Sequence, residues 1–596
     1  MGASVSTVSA QMDSMFLDST HVSVRGNVAH NDIDTFHVSS SDFIAEVLGQ
    51  QALVFVKPAS GTGLSTISIR GGTTEQSAVF WNGLSLQNTL NGNVDLNLLP
   101  AVVFDNLSLN NTNSVRTGSG GTAGSMELQN QKIDTNNKTQ ISLGAGSFGL
   151  FNASVKSVLN LKRSRISLAT YVQESKNNYP YSTAFQPNEI RLAHAEYQLA
   201  GILYQQTFDT KNANPLNIRL WAQSATRNIP ATTLEAESQK NQVDNSIRFQ
   251  SDWSKVFKKN EVKLVFGSFL ESLRYSDSIS EIFTNYGFIN NSLLIHLKRR
   301  LVKNLTVGAD VEVRHFGADA DTFYNRSRLE FSEGGHIKLK AKQWEGHMGF
   351  RLVQFSTTSD APVLLSSHVS RDIKNKWNVT ASFTTNYRLP TFNSLYWNPG
   401  GNPNLAAERS RNADVMVKYM TKSSKVQVSV FNNYIHDQIR WLPGANGIFE
   451  AQQIIDQVQW NRGLEISGEL YVKRFMLDAG ATRLISTVVG DNNHWQQSYV
   501  PLYQGYTNLN YARGAFSFRL GYQFVSKRFI DTENTTFLDG YYLHRGQVTW
   551  KHKHLLVSFI ARNIGDLSYT VLPFRPNPPR NFQLDLSYTI NKNKTK

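Results

Sequence analysis

The residues best placed to do chemistry in this chain are single charges that stand inside apolar, alternating segments. Arg70 follows two isoleucines that alternate with serine, and Glu465 stands between Leu464 and Ile466. A charge in such a segment is costly to bury unless a partner neutralises it. The pattern therefore predicts that Arg70 is paired, whereas Glu465 fits a buried partner and a surface carboxylate equally well.

The motifs of common enzymes are missing from the sequence. It contains neither a Gly-x-Ser-x-Gly elbow nor a His-Glu-x-x-His pair, and its 14 histidines are scattered. The absence of cysteine excludes a thiol nucleophile, a cysteine zinc site and a disulfide framework. The glycine-rich residues 116–125 lack the Lys-Ser/Thr pair of a phosphate-binding loop. We therefore expect no enzyme, no cofactor and no metal site.

The composition is typical of a large β-protein. Of 596 residues, 40% are hydrophobic and only 18% are charged, below the usual quarter. The sequence has no run of about 18 apolar residues, the length that predicts a transmembrane helix. A transmembrane barrel and a large soluble β-protein are both compatible with these values.

The net charge of +14 does not by itself indicate a nucleic-acid partner. The basic residues fall in short turns, such as Lys162-Arg163 and Lys258-Lys259, rather than along one face of a helix. We therefore expect no nucleic-acid binding.

The region after residue 132 shows the alternation of a transmembrane barrel. Even-numbered residues between 516 and 524 are apolar or aromatic, and so are alternate residues between 582 and 590. Strands of about ten residues with aromatic ends suit a bilayer. Short basic turns alternate with long polar connections, which occur at residues 175–189, 226–242 and 490–499. Roughly 460 residues at about 20 per strand and connection predict about 22 strands, a size that holds a plugged lumen.

Residues 64–100 carry a clear family resemblance. An Ile-Arg-Gly triplet at 69–71 is followed by an apolar run at 78–81 and an Asn82-Gly83 turn. This arrangement resembles the plug domain of TonB-dependent outer-membrane receptors, although that family more often has Asp where Asn82 stands. Further segments resemble the family in matching order, namely residues 116–125, 387–393, 401–408, 431–439 and 563–580. Within the family, the vitamin B12 (cobalamin) receptor group is most similar.

The resemblance implies an all-β dominated fold, a roughly 22-stranded antiparallel transmembrane β-barrel with a small α+β N-terminal plug inside the lumen. Residues 1–16 are then a leader or signal remnant, and residues 17–131 are the TonB box and plug domain. Residues 132–590 are the barrel, and residues 591–596 are a tail that departs from the family pattern.

The resemblance also implies three sets of functional residues. The TonB box, which a periplasmic partner captures by strand addition, comprises Thr20, His21, Val22, Ser23 and Val24. The plug apices that touch the substrate comprise Gly63, Leu64, Ser65, Leu86, Gln87, Asn88, Thr89 and Asn91. Arg70 and Arg116 lock the plug to carboxylates of the barrel wall, with Glu465 as one partner. The residues alone also fit a leader or first plug strand at the N-terminus and ordinary surface loops at the apices.

The implied function is TonB-dependent active import of a scarce, bulky solute across the outer membrane of a Gram-negative bacterium, with cobalamin or a related corrinoid as the first choice. A ferric-siderophore receptor is the alternative, and a passive porin-like channel and a soluble β-rich adhesin are rivals from other classes. No histidine lies between Arg388 and Asn402, where haem receptors carry one. The implied partners are the periplasmic TonB complex, outer-membrane lipid, a corrinoid or metal chelate, and a surface lipoprotein.

Overall fold

The structure, a computed structural model, describes residues 20–23, 42–58, 63–110, 119–182, 188–209, 214–357, 360–444, 447–490 and 494–591. Val24, Arg116, the predicted leader and all but the first residue of the predicted tail lie outside these residues. Within the described ranges, no helix has the length and apolar character needed to cross a membrane.

The N-terminal region is a small mixed sheet accompanied by one helix. Its elements are β1 (Thr20–Ser23), α1 (Ile44–Gln51), β2 (Phe55–Pro58), β3 (Ser65–Ser68), β4 (Ser77–Trp81), β5 (Leu84–Ser85), β6 (Asn106–Asn110) and β7 (Gly124–Gln129), with 3-10 turns at Leu96–Leu98 and Ala101–Val103. The sheet order is β1-β6-β7-β4-β5, in which β4 and β7 run parallel and the other neighbours antiparallel. β2 and β3 form a separate antiparallel pair. We call this region, residues 20–129, the plug.

Two tight turns of the plug contain residues that the sequence singled out. Asn82 and Gly83, with φ of 46° and 90°, close the two-residue hairpin between β4 and β5, as the sequence predicts. Arg70 differs from the prediction, because β3 ends at Ser68 and Arg70 lies in the following turn with φ of 44°. From this turn its side chain leaves the plug and reaches the surrounding wall.

Most of the described residues after the plug form antiparallel strands. In chain order, its elements are β8 (Lys138–Gly146), β9 (Leu150–Asn160), β10 (Ser164–Ser175), β11 (Pro180–Tyr181), β12 (Ile190–Arg191), β13 (Tyr197–Phe208), β14 (Leu216–Ile229), β15 (Lys240–Phe257), β16 (Asn260–Asp277), β17 (Ile282–Val302), β18 (Leu305–Ala320), β19 (Phe323–Ala341), β20 (Trp344–Phe355), β21 (Val363–Ile373), β22 (Trp377–Arg388), α2 (Phe392–Tyr396), β23 (Glu408–Met420), β24 (Ser424–His436), β25 (Gln438–Pro443), β26 (Phe449–Ile454), β27 (Val458–Val472), β28 (Phe475–Val489), β29 (His494–Gln496), β30 (Tyr503–Arg513), β31 (Phe516–Val525), β32 (Arg528–Phe529), β33 (Phe537–Leu538), β34 (Tyr541–His552), β35 (Leu555–Arg562), β36 (Thr570–Leu572), β37 (Arg575–Pro576) and β38 (Asn581–Asn591).

The long strands close into a barrel, which we call the wall. Each pairs with the next long strand along the chain, and β38 pairs with β8, with Leu586 opposite Leu143. The short β29 pairs with the end of β28, while β30 pairs with the remainder of β28. Counting β29 with β30, the described residues form a 22-stranded closed barrel, which confirms the predicted fold.

The outer face of the wall is apolar. Along β38, the alternate apolar residues from Phe582 to Ile590 are 42–48% exposed, whereas Gln583 and Asp585 are 1% and 6% exposed. A soluble β-protein turns its apolar residues inward. The inverted pattern is the one that a strand needs when lipid lies outside and polar groups line the lumen.

The connections differ between the two rims. The turns between β17 and β18, β19 and β20, and β27 and β28 contain two residues each, whereas the connection between β22 and β23 spans residues 389–407. The connection predicted at 226–242 is shorter than expected, because β14 continues to Ile229 and β15 begins at Lys240. Strands β15 to β19 are 16–21 residues long, so they extend beyond the roughly ten residues that a bilayer requires.

The plug lies inside the wall. Trp81 of β4 packs against Trp221 of β14 and Phe269 of β16, with ring centroids 5.5 and 5.9 Å apart. Arg70 of the plug contacts Glu465 of β27, and many strands separate β27 from β14 and β16 in the barrel order. Buried side chains of the plug and of the wall belong to one continuous apolar cluster.

Candidate functional site

Arg70 is the centre of a buried polar cluster between the plug and the wall. Its Nε and Nη2 donate to Glu465 Oε1 and Oε2 at 3.1 and 2.6 Å. Nη1 lies 2.8 Å from Asp414 Oδ2, and Nη2 also donates to Ser429 Oγ at 3.1 Å. The guanidinium stacks over Phe431 at 4.2 Å from the ring centroid. We call Arg70, Asp414, Ser429 and Glu465 the Arg70 cluster.

The Arg70 cluster joins the plug to three neighbouring strands. Asp414, Ser429 and Glu465 lie on β23, β24 and β27, and Arg70 is only 6% exposed. Burial acts to lower the pKa of Arg70, but the two carboxylates outweigh it and raise that pKa. The predicted contact between Arg70 and Glu465 is therefore present. Asp414 was not predicted, although it alternates inward with Asn412 along β23.

A second buried polar group lies beside the first. Arg388 donates from Nε and Nη2 to Glu408 at 2.8 and 2.6 Å, and Glu408 is 1% exposed. Gln76 of the plug donates to the same carboxylate at 3.3 Å. The segments at 387–393 and 401–408 thus supply a wall ion pair that also contacts the plug.

An acidic residue shortly before α1 also joins the plug to the wall. Asp42, 1% exposed, lies 2.7 Å from Arg562 Nη2 and 3.3 Å from Arg545 Nη2. Although burial opposes it, the two guanidinium groups lower the pKa of Asp42 to about 2. In the sequence, Ser40, Ser41 and Asp42 indicate only the cap of a short helix over residues 43–48 that ends at Gly49, so this contact was missed.

Two further plug carboxylates pair with wall cations. Asp95 forms an ion pair with Arg227 of β14, and Asp105 lies 3.0 Å from Lys156 of β9. With Arg70 and Asp42, these contacts hold the plug at several separate points on the wall. Buried ion pairs of this kind fix one docked arrangement more than they add stability.

Several of the predicted plug apices are buried or contact the wall. Gly63, Ser65 and Leu86 are buried, residues 87–89 are half-buried, and Leu64 and Asn91 are exposed. Two backbone bonds join this loop to α2, because Phe392 and Asn393 donate to the carbonyls of residues 89 and 90. The apices therefore contact a wall connection, and their role towards a substrate stays a prediction.

The predicted TonB box is a strand at the edge of the plug sheet. β1 pairs antiparallel with β6, with Thr20 opposite Leu109 and Ser23 opposite Asn106. In the described part of the chain, no second strand pairs with β1, so one of its edges is left for a further strand. Its use by a periplasmic partner stays a prediction, and Val24 lies outside the described residues.

Histidines that are scattered in the sequence meet on the inner wall. His296, His336, His347 and His368 lie on β17, β19, β20 and β21, and all are buried. His296 hydrogen-bonds Asp310, and the ring centroids of His296 and His336 are 5.5 Å apart. Within the ranges that the structure describes, no group of three or more such side chains is arranged to hold a metal ion.

Glu127 is a buried carboxyl group that makes the stability of the plug depend on pH. It lies on β7, is 2% exposed and accepts a hydrogen bond from the Gly83 N–H at 2.8 Å. Burial raises the pKa of its carboxyl to about 8, against the effect of the Gly83 hydrogen bond and the Lys263 charge. The pKa of this carboxyl in the unfolded protein is about 4.3. At pH values between the unfolded and folded pKa, only the folded protein keeps the proton, so stability falls as pH rises.

We expect Glu127→Gln to reduce the fall in stability with rising pH. The melting temperature of the wild type in detergent should be lower at about pH 9 than at about pH 5. At about pH 9, Glu127→Gln should melt at a higher temperature than wild type. Differential scanning calorimetry measures both. Glu533→Gln, in an exposed loop, is the control that should leave the wild-type profile unchanged. Identical profiles for wild type and Glu127→Gln would contradict the expectation.

Two family models match the chain in consecutive regions. The model described as TonB-dependent Receptor Plug Domain matches residues 20–125. The model described as TonB dependent receptor-like, beta-barrel matches residues 129–564. The two regions correspond to the plug and to most of the wall.

Individual relatives are distant. The vitamin B12 transporter BtuB of Vibrio vulnificus is 22% identical over 453 residues, which cover 69% of this chain and 67% of the relative. BtuB of Photobacterium profundum is 32% identical over 72 residues, 12% of each chain.

Solved structures of similar architecture cover nearly the whole chain. The FrpB iron transporter of Neisseria meningitidis aligns with a TM-score of 0.80 at 11% identity, over 96% of this chain and all of that one. The siderophore receptor PirA of Acinetobacter baumannii aligns with a TM-score of 0.78 at 13% identity, over 96% and 98%. At these identities, the likeness establishes the fold alone.

Proposed function

We propose that this chain, which belongs to the TonB-dependent receptors, actively imports cobalamin or a related corrinoid across the outer membrane of a Gram-negative bacterium. The observation that carries the proposal is a plug held inside a closed barrel by buried ion pairs, with a strand at its edge that can accept a further strand.

The plug argues for energised import and against a passive channel. The plug lies in the lumen and is joined to the wall through Arg70, Asp42 and Asp95, so it stands in the path of a bulky solute. Passage then requires work on the plug. β1 offers a place where a periplasmic TonB complex pulls, because strand addition needs an extended backbone with a free edge.

Two observations bear on the solute. The relative that covers 69% of the chain is named as a vitamin B12 transporter, which favours a corrinoid. The structural neighbours include receptors for iron and siderophores, which makes a ferric siderophore the second candidate. The neighbours resemble this chain in fold alone, so we place the corrinoid first. A surface lipoprotein and outer-membrane lipid complete the partners of the proposed receptor.

Titration of the purified protein with cyanocobalamin and with a panel of ferric siderophores tests this function. We expect saturable binding of cyanocobalamin and no comparable binding of the siderophores. Leu64→Asp, at an exposed plug apex, should weaken binding, whereas Leu161→Asp, in an exposed turn on the opposite rim, should not. Tight binding of a siderophore without binding of cyanocobalamin would replace the corrinoid with the second candidate.

A further inference from the structure

A cavity of about 340 Å³ lies between one side of the plug and the wall. α1 and β2 form part of its plug side, and strands including β13, β14, β31, β34 and β35 form its wall side. Among the described residues, its charged lining consists of Glu46, Arg227, Arg545 and Arg562, with His544 beside them. Three arginines against one carboxylate give the lining an excess of positive charge.

Arg227 does not contribute to this excess. It forms an ion pair with Asp95 and lies 3.2 Å from Asp244, so two carboxylates neutralise it. Arg545 and Arg562, beside α1, then face two carboxylates, Asp42 and Glu46, so a positive excess arises there when Glu46 is protonated.

Arg545 and Arg562 share a single fully ionised carboxylate. Asp42 Oδ1 lies 2.7 Å from Arg562, and Asp42 Oδ2 lies 3.3 Å from Arg545. Arg545 is 7% exposed, and within the described residues its Nε and Nη1 have no hydrogen-bond partner. Unused donors on a buried cation are costly, and an oxyanion satisfies such donors well.

Glu46 sets how strongly the cavity attracts an anion. Its Oε1 lies 3.4 Å from Arg562 Nε. The charged or titratable groups that face it are Asp42, Tyr197, His544, Arg545, Arg562 and Tyr569. Burial raises the pKa of Glu46 to about 7, although Arg562 opposes this shift. Lowering the pH through this value removes a negative charge that competes for the arginines.

We propose that this cavity is an oxyanion site, in which a sulfate, phosphate or carboxylate group binds against Arg545 and Arg562. The bound anion supplies the acceptors that Arg545 lacks and competes with Asp42 for that guanidinium. Because Asp42 belongs to the plug, two residues before α1, occupancy weakens one of the contacts that hold the plug to the wall. Of the predicted apices, Ser65 also lines this cavity, but the proposed anion contacts are Arg545 and Arg562, so the site does not depend on which solute the receptor transports.

Isothermal titration calorimetry on the detergent-solubilised full chain tests the proposal at constant ionic strength. Sulfate is the probe for a free oxyanion, since its charge is the same at about pH 6 and about pH 8. We expect saturable sulfate binding that is tighter at the lower pH and about tenfold weaker in Arg545→Gln. Arg513→Gln, at the exposed end of β30, is the matched control that should bind as wild type does.

Two further variants separate binding from folding. Arg545→Lys keeps the charge, so it should fold and bind sulfate with intermediate affinity even where Arg545→Gln is unstable. Glu46→Gln should bind sulfate more tightly than wild type at about pH 8 and lose the difference between the two pH values, which a purely structural role would not produce.

A second probe, citrate, distinguishes a free oxyanion from an acidic group of a larger solute. Citrate binding that is tighter than sulfate binding and equally dependent on Arg545 assigns the site to an acidic group of a larger solute. Weaker or equal citrate binding assigns it to a free oxyanion. Absence of saturable binding for both probes, or equal binding by wild type and Arg545→Gln, would overturn the proposal.

Discussion

Arg70→Met is expected to release the plug from its fixed position in the barrel. The substitution leaves Glu465 and Asp414 buried without their cation, and breaking a buried ion pair from one side costs about 3–5 kcal/mol. We expect faster trypsin cleavage within the plug and a higher single-channel conductance in planar bilayers. Both measurements report on the plug, so an intact wall does not hide the effect.

Matched variants show whether burial is the cause. Arg580→Met removes an arginine from a pair with Asp566 in which both side chains are 46% exposed, and it should cost less than about 1 kcal/mol. Adding Glu465→Gln and Asp414→Asn to Arg70→Met removes the uncompensated charges and should recover part of the protection. Wild-type protease resistance and conductance in Arg70→Met would show that the Arg70 cluster does not hold the plug.

Val22→Pro is expected to abolish energised uptake while leaving solute binding intact. Proline has no N–H to donate and is excluded from most strand positions, so it disrupts strand addition at β1. Val22 lies opposite Leu107 at the edge of the plug sheet, far along the chain from the apices. Uptake of labelled solute by whole cells should fall to background, while equilibrium binding to purified protein should stay within about twofold of wild type.

The control for this variant keeps the strand. Val22→Thr retains a β-branched side chain and the backbone donor, so uptake should persist. Equal loss of binding and uptake in Val22→Pro would point to damage to the plug. Unchanged uptake would show that β1 is not the segment on which the partner acts.

Regular alternation made the wall predictable from the sequence. A strand that separates lipid from a polar lumen must alternate, and the residues of β38 do so without interruption. The Asn82-Gly83 hairpin was predictable for a similar reason, because the chemistry of a two-residue turn is local. Both features are decided by neighbours in the sequence.

The plug contacts were only partly predictable, because their partners lie far apart along the chain. Arg70 and Glu465 are 395 residues apart, and Asp42 and Arg562 are 520 apart. Barrel closure decides which strand faces which part of the plug, and no local pattern encodes it. Arg70 drew attention as a charge among isoleucines, whereas Asp42 looked like an ordinary residue before a helix.

Local predictions were wrong where packing overrides propensity. Val102, Phe104, Leu107 and Leu109 alternate in the sequence, which predicts strand, yet Ala101–Val103 forms a buried 3-10 turn. The helix predicted over residues 43–48 runs instead over Ile44–Gln51 and includes Gly49, because its apolar face packs into the plug core. The connection predicted at residues 226–242 was too long, since β14 continues to Ile229 and β15 begins at Lys240.

The most direct test of energised import is a time course of solute uptake by cells that express the protein, before and after a protonophore collapses the inner-membrane proton gradient. With the gradient intact, we predict accumulation of the solute that binds in the titration to well above the number of receptors. Without it, uptake should stop at the amount bound to the receptor. Uptake that continues at the same rate without the gradient would show a passive channel and would contradict this account.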